Sequence, residues 1–314
     1  MPKPSVLVTR RIPSSVLARL EDACDVDLYD RGDLPHDELL SRIPGKQALV
    51  SVVTDTIDRA VLEAGRDLKV IATIAVGSNN IDVAAARERG IIVTNTPDVL
   101  TESTADLTWA LILGITRRIV EGDRLVRRGQ WKGFTLDFML GSDLRGKQLG
   151  IVGFGRIGKA VAARAPAFGM RVAYTGRSVQ PSAAGEAMPI DRLLATSDIV
   201  SLHCPLTPET KHLINQTTLA RMKRGAYLVS AARGPIVDEA ALVWALANRI
   251  IAGAALDVYE REPEIHQGLL SLENVVLSPH LGSSAIETRT TMIHLAVQNV
   301  VAVLSGQPPL TPIG

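Results

Sequence analysis

With 314 residues, the chain is too long for one ordinary hydrophobic core and long enough for two domains. Apolar residues make up 46% and charged residues 21%, the balance of an ordinary globular protein. A formal net charge of +1 gives no electrostatic reason to seek nucleic acid or an anionic membrane, so neither is expected as a partner. The two cysteines, Cys24 and Cys204, share no metal-binding or redox spacing. They read as reduced thiols of a cytoplasmic protein, and no metal site is expected. "MPKPSVLVTRR" lacks the apolar core and cleavage site of a signal peptide. No apolar run approaches the roughly 20 residues that span a bilayer.

In chain order, "SVLVTR" reads as a strand and the amphipathic "SSVLARLEDA" as a helix. "VDLYD", "QALVSVV", "KVIATIAVG" and "GIIVTN" are further strand-length runs, rich in Val and Ile and ended by Gly, Asp or Asn. Strands alternating with helices predict a parallel sheet covered on both faces. Residues 1–99 therefore form one α/β unit. A long helix is predicted from Thr101 to Arg128, with acids in its first turn and basic residues at its end. The irregular "GQWKGFTLDFMLGSDLRGKQ" then holds Trp131, Phe134 and Phe138. It reads as local core, as the lining of a substrate pocket, or as an arm reaching a partner subunit. A second α/β series follows: "LGIVGFG", "RVAYTG", "SDIVSLHC", "AYLVSAARG", "IAGAALDV" and "NVVLSPHLG". A last helix, from Ser284 to Leu304, begins after that series is complete and is expected to pack on the first domain.

"GFGRIG" puts Gly153, Gly155 and Gly158 between a strand and a helix. This is the dinucleotide cradle: a tight turn, a close approach of backbone to the pyrophosphate, and close helix–strand packing. The helix N-terminus offers N–H groups to the anion. About twenty residues on, such sites usually carry an acid for the ribose 2′-hydroxyl of NAD. Here "YTGRS" offers Gly176, Arg177 and Ser178 and no acid. Gly176 leaves room, Arg177 can pair with a 2′-phosphate, and Ser178 can add a hydroxyl. The cofactor expected is thus NADP(H) in preference to NAD(H).

Three later stretches each end a strand of the second series, the edge at which open parallel sheets place ligands. They carry Arg233, Asp257 with Glu262, and His280. A 2-oxo acid needs a fixed cation for its carboxylate and a proton donor for its carbonyl oxygen. A carboxylate beside an imidazole favours the donating form and orients the ring. In the first domain, "AVGSNNID" ends a strand in Val76, Gly77 and Ser78, whose backbone N–H groups can face a small anion.

With "GFGRIG", "SAARGPIVDEAALVWAL", "AALDVYEREP" and "SPHLGSS" in this order and spacing, nearly the whole chain resembles the D-isomer-specific 2-hydroxyacid dehydrogenases. The resemblance implies an α/β fold of two Rossmann-like or flavodoxin-like domains with parallel sheets. The cofactor domain, residues 100–285, would be inserted in the substrate domain, residues 1–99 and 286–314. It implies Arg233, Glu262 and His280 as the catalytic trio, and Val76, Gly77 and Ser78, with Arg233 and His280, as substrate contacts. Cofactor contacts would come from Thr104, Gly153, Gly155, Arg156, Ile157, Gly158, Gly176, Arg177, Ser178, His203, Cys204, Pro205, Thr210, Ala231, Asp257, His280 and Gly282. Asp257 would meet the nicotinamide amide. Family members are typically homodimers joined through the cofactor domain.

Within the family, "YTGRS" and "VGSNNID" look most like glyoxylate/hydroxypyruvate reductases, which reduce glyoxylate to glycolate and hydroxypyruvate to D-glycerate with NADPH. The alternatives are another D-2-hydroxyacid dehydrogenase, for D-lactate, D-glycerate 3-phosphate or a bulkier acid, or a dinucleotide-sensing protein like the family's corepressors. A phosphorylated substrate calls for a basic cluster near Gly77, where the sequence has Ser, Asn and Asp.

Overall fold

Short apolar runs become parallel strands, several of them buried along their whole length, as a sheet covered on both faces requires. The computed structural model describes residues 2–177 and 182–313. They fall into two units, Met1–Leu100 with Ser283–Gly314, and Thr101–Gly282. The second is therefore an insertion in the chain of the first.

The first unit runs β1 (Ser5–Val8), α1 (Ser14–Ala23), β2 (Asp25–Leu28), α2 (His36–Arg42), β3 (Ala48–Ser51), α3 (Arg59–Ala64), β4 (Val70–Thr73), α4 (Val83–Glu88) and β5 (Ile92–Thr94). Its sheet has the flavodoxin-like order β2-β1-β3-β4-β5, with every pairing parallel. Asp58 and Asp82 cap α3 and α4 through the N–H groups of Val61 and Ala85.

The second unit opens with α5 (Thr101–Thr116) and α6 (Ile119–Arg127). One continuous helix to Arg128 is thus not formed. Arg118 sits in the left-handed region at φ 54°, and the Thr116 carbonyl accepts the Ser142 N–H at 2.8 Å. The unit continues with β6 (Gln148–Val152), α7 (Arg156–Arg164), β7 (Arg171–Thr175), β8 (Glu186–Ala187), α8 (Ile190–Thr196), β9 (Ile199–Leu202) and α9 (Gln216–Arg221). It ends with β10 (Tyr227–Ser230), α10 (Glu239–Ala247), β11 (Gly253–Leu256), α11 (Gln267–Leu270) and β12 (Val275–Leu277). Sheet order is β12-β11-β10-β9-β6-β7-β8, again wholly parallel. The direction of winding reverses between β6 and β9, the switch point at which such sheets bind nucleotides. The aromatic segment is not core: Phe134 is 82% and Leu136 87% exposed, and Trp131 is largely exposed too. Its own unit leaves those side chains largely uncovered.

The last helix, α12 (Ile286–Leu304), packs on α1, β3 and β4 of the first unit. Ala296, Val297 and Val300 join Val6, Val8 and Val16 in one core cluster. No helix among the described residues is long and apolar enough to cross a membrane. Beyond α12 the tail is tied down by the buried Asn299. Its Oδ1 accepts the N–H groups of Leu310 and Thr311 at 2.9 and 3.0 Å, and its Nδ2 donates to Thr311 Oγ1 at 2.9 Å. Replacing Asn299 with Ala leaves two backbone donors without their acceptor. We expect a loss of roughly 2 kcal/mol, seen as a lower denaturant midpoint for the first unit.

Candidate active site

The glycine turn closes tightly because Gly153 lies at φ 96° and a Cβ there would stand 2.4 Å from the Cys204 nitrogen. Only glycine meets both demands. Gly155 is the N-cap of α7 and lines a cavity of about 710 Å³, where a side chain would enter open space. Phe154 anchors the turn by stacking on the buried Tyr174 of β7, with ring centroids 3.8 Å apart. Arg156 and Ile157 start α7, and Gly158 is buried beneath them. These features fit a dinucleotide: a cradle without side chains, facing a helix N-terminus.

The same cavity is lined by Gly176 and Arg177 after β7, and by His203, Cys204, Pro205 and Thr210 after β9. Ser178 lies outside the described residues. Thr210 shapes its loop by donating to the Pro205 carbonyl at 2.6 Å and accepting the Thr207 N–H at 2.8 Å. Burial pushes His203 down to about 4 and Cys204 up to about 11, so both are neutral near pH 7. Lys159 also lines the cavity and is absent from the expected set. It stands four residues after Gly155, on the same helix face, which helical periodicity alone could have revealed.

The trio comes together at the carboxyl edge of the same sheet. His280 Nδ1 lies 2.8 Å from Glu262 Oε2. Glu262 Oε1 accepts the Tyr259 N–H at 3.0 Å. Burial pushes the Glu262 carboxyl up, but the His280 hydrogen bond and charge, the Tyr259 N–H and the Arg233 charge outweigh it. It therefore lies below the ordinary carboxylate range and is ionised. Arg233 is half-buried, and that burial lowers it while Glu262 opposes the shift. Because Nδ1 faces Glu262, Nε2 is the ring nitrogen left for another partner.

Asp257 carries a structural task besides the ligand role expected of it. Its carboxylate accepts the Leu281 N–H at 2.7 Å, the Gly282 N–H at 2.9 Å and the Ser278 hydroxyl at 2.5 Å. Its own carbonyl takes the His280 N–H at 2.9 Å. Burial nonetheless holds its carboxyl above the ordinary value. Asp257 thus clamps the turn on which His280 sits at φ 54°, a left-handed conformation uncommon outside glycine. Gly282 is also fixed from α5, where Ser103 and Thr104 donate to its carbonyl at 3.1 and 3.2 Å. Ala231 lies just past β10, two residues before Arg233. In the first unit, Val76, Gly77 and Ser78 follow β4 and are half-buried, with the Val76 carbonyl held by Asn95 Nδ2 at 2.7 Å. Among the described residues no cluster of His, Cys, Asp and Glu could hold a metal.

A glycine cradle at the switch point of a parallel sheet, with an imidazole in hydrogen-bond contact with a carboxylate on the same edge, defines a dinucleotide-binding α/β protein that also carries groups able to exchange a proton. Comparison with known proteins makes the class specific. The profile of the "D-isomer specific 2-hydroxyacid dehydrogenase, NAD binding domain" matches residues 109–282. A glyoxylate reductase of Thermofilum pendens is 47% identical, over 98% of this chain and 94% of its own. A solved protein of Thermus thermophilus superposes with a TM-score of 0.95 at 48% identity, covering 99% of this chain and 100% of that one. An NADPH-dependent glyoxylate/hydroxypyruvate reductase of Sinorhizobium meliloti, solved with NADP and malonate, has a TM-score of 0.88 at 35% identity, covering 99% and 97%. The chain belongs to the D-isomer specific 2-hydroxyacid dehydrogenases and is an NAD(P)-dependent oxidoreductase acting on CH–OH donors.

Proposed function

We propose that the chain reduces small 2-oxo acids with NADPH: glyoxylate to glycolate, and hydroxypyruvate to D-glycerate. The observation that carries this reading is the 2.8 Å contact of His280 Nδ1 with Glu262, which leaves Nε2 as the proton donor. The names of the similar reductases supply the substrate class. When bound, the cofactor supplies a hydride to the carbonyl carbon. His280 gives the Nε2 proton to the carbonyl oxygen, and Glu262 holds the ring by Nδ1. Arg233 holds the substrate carboxylate. In the first unit, the backbone N–H groups of Val76, Gly77 and Ser78 are substrate contacts in this reading. The pyrophosphate lies on Gly153 to Gly158, including Arg156 and Ile157. Gly176, Arg177 and Ser178 receive the 2′-phosphate. Thr104, Ala231, Asp257 and Gly282 stand at the nicotinamide end. The protein works as a homodimer, for which the exposed Phe134 and Leu136 offer an unpaired apolar face.

Initial rates for both acids with NADPH and NADH test the cofactor assignment. NADPH should be preferred, and Arg177→Ala should cut that preference by roughly tenfold or more, the worth of one charge-assisted pair. Equal kcat/KM for the two cofactors in the unaltered enzyme would refute it. His280→Ala should lower kcat by about 10²- to 10⁴-fold with NADPH affinity unchanged. Near-normal turnover would remove His280 from the acid role. In sedimentation velocity the protein should run as a dimer, and Phe134→Glu with Leu136→Glu should yield monomers. A monomeric unaltered protein would overturn the assembly.

A further inference from the structure

The turn that carries Glu262 is held at both ends by a carboxylate outside the trio. Glu239, the first residue of α10, is 4% exposed. Its Oε1 accepts the Glu260 N–H at 2.8 Å, and its Oε2 accepts the His266 N–H at 3.3 Å. Those two N–H groups flank Glu262. Glu260 returns the contact, since its Oε2 accepts the Glu239 N–H at 3.1 Å while its Oε1 pairs with His212 Nε2 at 2.6 Å. A reciprocal ring therefore joins α10 to the turn after β11.

The stretch leading into α10 also touches the stretch after β11, next to Arg233. A Cβ on Gly234 would stand 1.7 Å from the Tyr259 carbonyl oxygen, so the backbones meet with no room for a side chain. Arg233 precedes the first segment, and Glu262 sits in the second. Burying a carboxylate among backbone donors is costly unless its hydrogen bonds are made, and here they are made to one turn.

We propose that Glu239 is a positioning residue: by stapling the two ends of the 260–266 turn, it holds Glu262 in place between Arg233 and His280. This rests on the assignment of Glu262 as partner of the proton-donating His280. The role is mechanical. Glu239 touches neither substrate nor cofactor, and it acts only through Glu262.

The test compares Glu239→Asp, Glu239→Gln and Glu262→Gln, singly and combined, in the full-length enzyme. Each is assayed for glyoxylate reduction and, separately, for NADPH affinity by cofactor fluorescence. Glu239→Asp keeps the charge but is too short to reach both N–H groups. It should lower kcat by roughly 10- to 100-fold, as small misplacements of catalytic groups do, with NADPH affinity within about twofold of normal. Glu239→Gln, with the same reach and one remaining acceptor, should recover part of that loss. Combining Glu239→Asp with Glu262→Gln should cost no more than Glu262→Gln alone, because the staple then has nothing to position. Unchanged kcat in Glu239→Asp would overturn the proposal. So would losses that multiply in the double variant, or a loss of cofactor affinity equal to the loss of kcat. If Glu262→Gln itself were fully active, the catalytic reading would fall and this proposal with it. If Glu262→Gln were impaired and Glu239→Asp normal, only the staple would be refuted. A Glu239→Asp chain that fails to fold leaves Glu239→Gln to decide, since impaired kcat with normal cofactor affinity supports the staple and normal kcat refutes it.

Discussion

The hydrogen bond between His280 Nδ1 and Glu262 Oε2 is the contact that the carboxyl edge of the second unit is arranged to keep. It joins two turns that follow different strands, β11 and β12, and neither turn is regular structure. An imidazole and a carboxylate on irregular backbone lose orientation easily unless the backbone itself is fixed. Each turn is fixed by a buried carboxylate accepting main-chain N–H groups: Asp257 for the His280 turn, and Glu239 for the Glu262 turn. Hydrogen bonds to a charged acceptor are stronger than neutral ones, so a carboxylate is a suitable fastener where no strand ladder continues. The left-handed φ of His280 can persist because three successive N–H groups, from His280 to Leu281 and Gly282, end on Asp257.

Charge along that edge follows burial. At the cofactor cavity, His203 and Cys204 are neutral near pH 7, because burial disfavours imidazolium and thiolate alike. The cations on the cavity wall, Lys159 and Arg177, lie on α7 and just past β7. A carboxylate near Arg177 does exist in Glu209, held below its ordinary value first by the Thr207 hydroxyl and also by Arg177. It is fully exposed and water-screened, unlike an acid at the strand end itself. In the trio, Glu262 is the anion, held so by its contact with His280, by the Tyr259 N–H and by the nearby Arg233.

Much of this was legible in the sequence, and for identifiable reasons. The strands could be read because wholly buried parallel strands are plain apolar runs. The cradle could be read because Gly153 has no substitute at its φ and its clearance from Cys204. Arg233, Glu262 and His280 could be placed on one edge because each follows a strand. Three things could not be read. The break at Arg118 depends on Ser142 taking the Thr116 carbonyl, a contact from 26 residues downstream by the numbering. The aromatic segment has the composition of core, yet apolar composition alone cannot say whether a segment is covered by its own unit, and here it is exposed. The clamping task of Asp257 was hidden, because its oxygens serve backbone donors brought near only by folding.

Glu239 shows why such residues escape a reading by pattern. Its position, just after the capping Asp238 and in the first helical turn, is fully accounted for by helix electrostatics. A solvated first-turn acid would look the same in sequence. What distinguishes it is depth: the residue is buried, its acceptors point away from its own helix, and they meet N–H groups on both sides of Glu262. A helix-terminal acid has been turned from its local task to a tertiary one. The local rule explains why a carboxylate is tolerated there, and the tertiary contacts explain why it is buried.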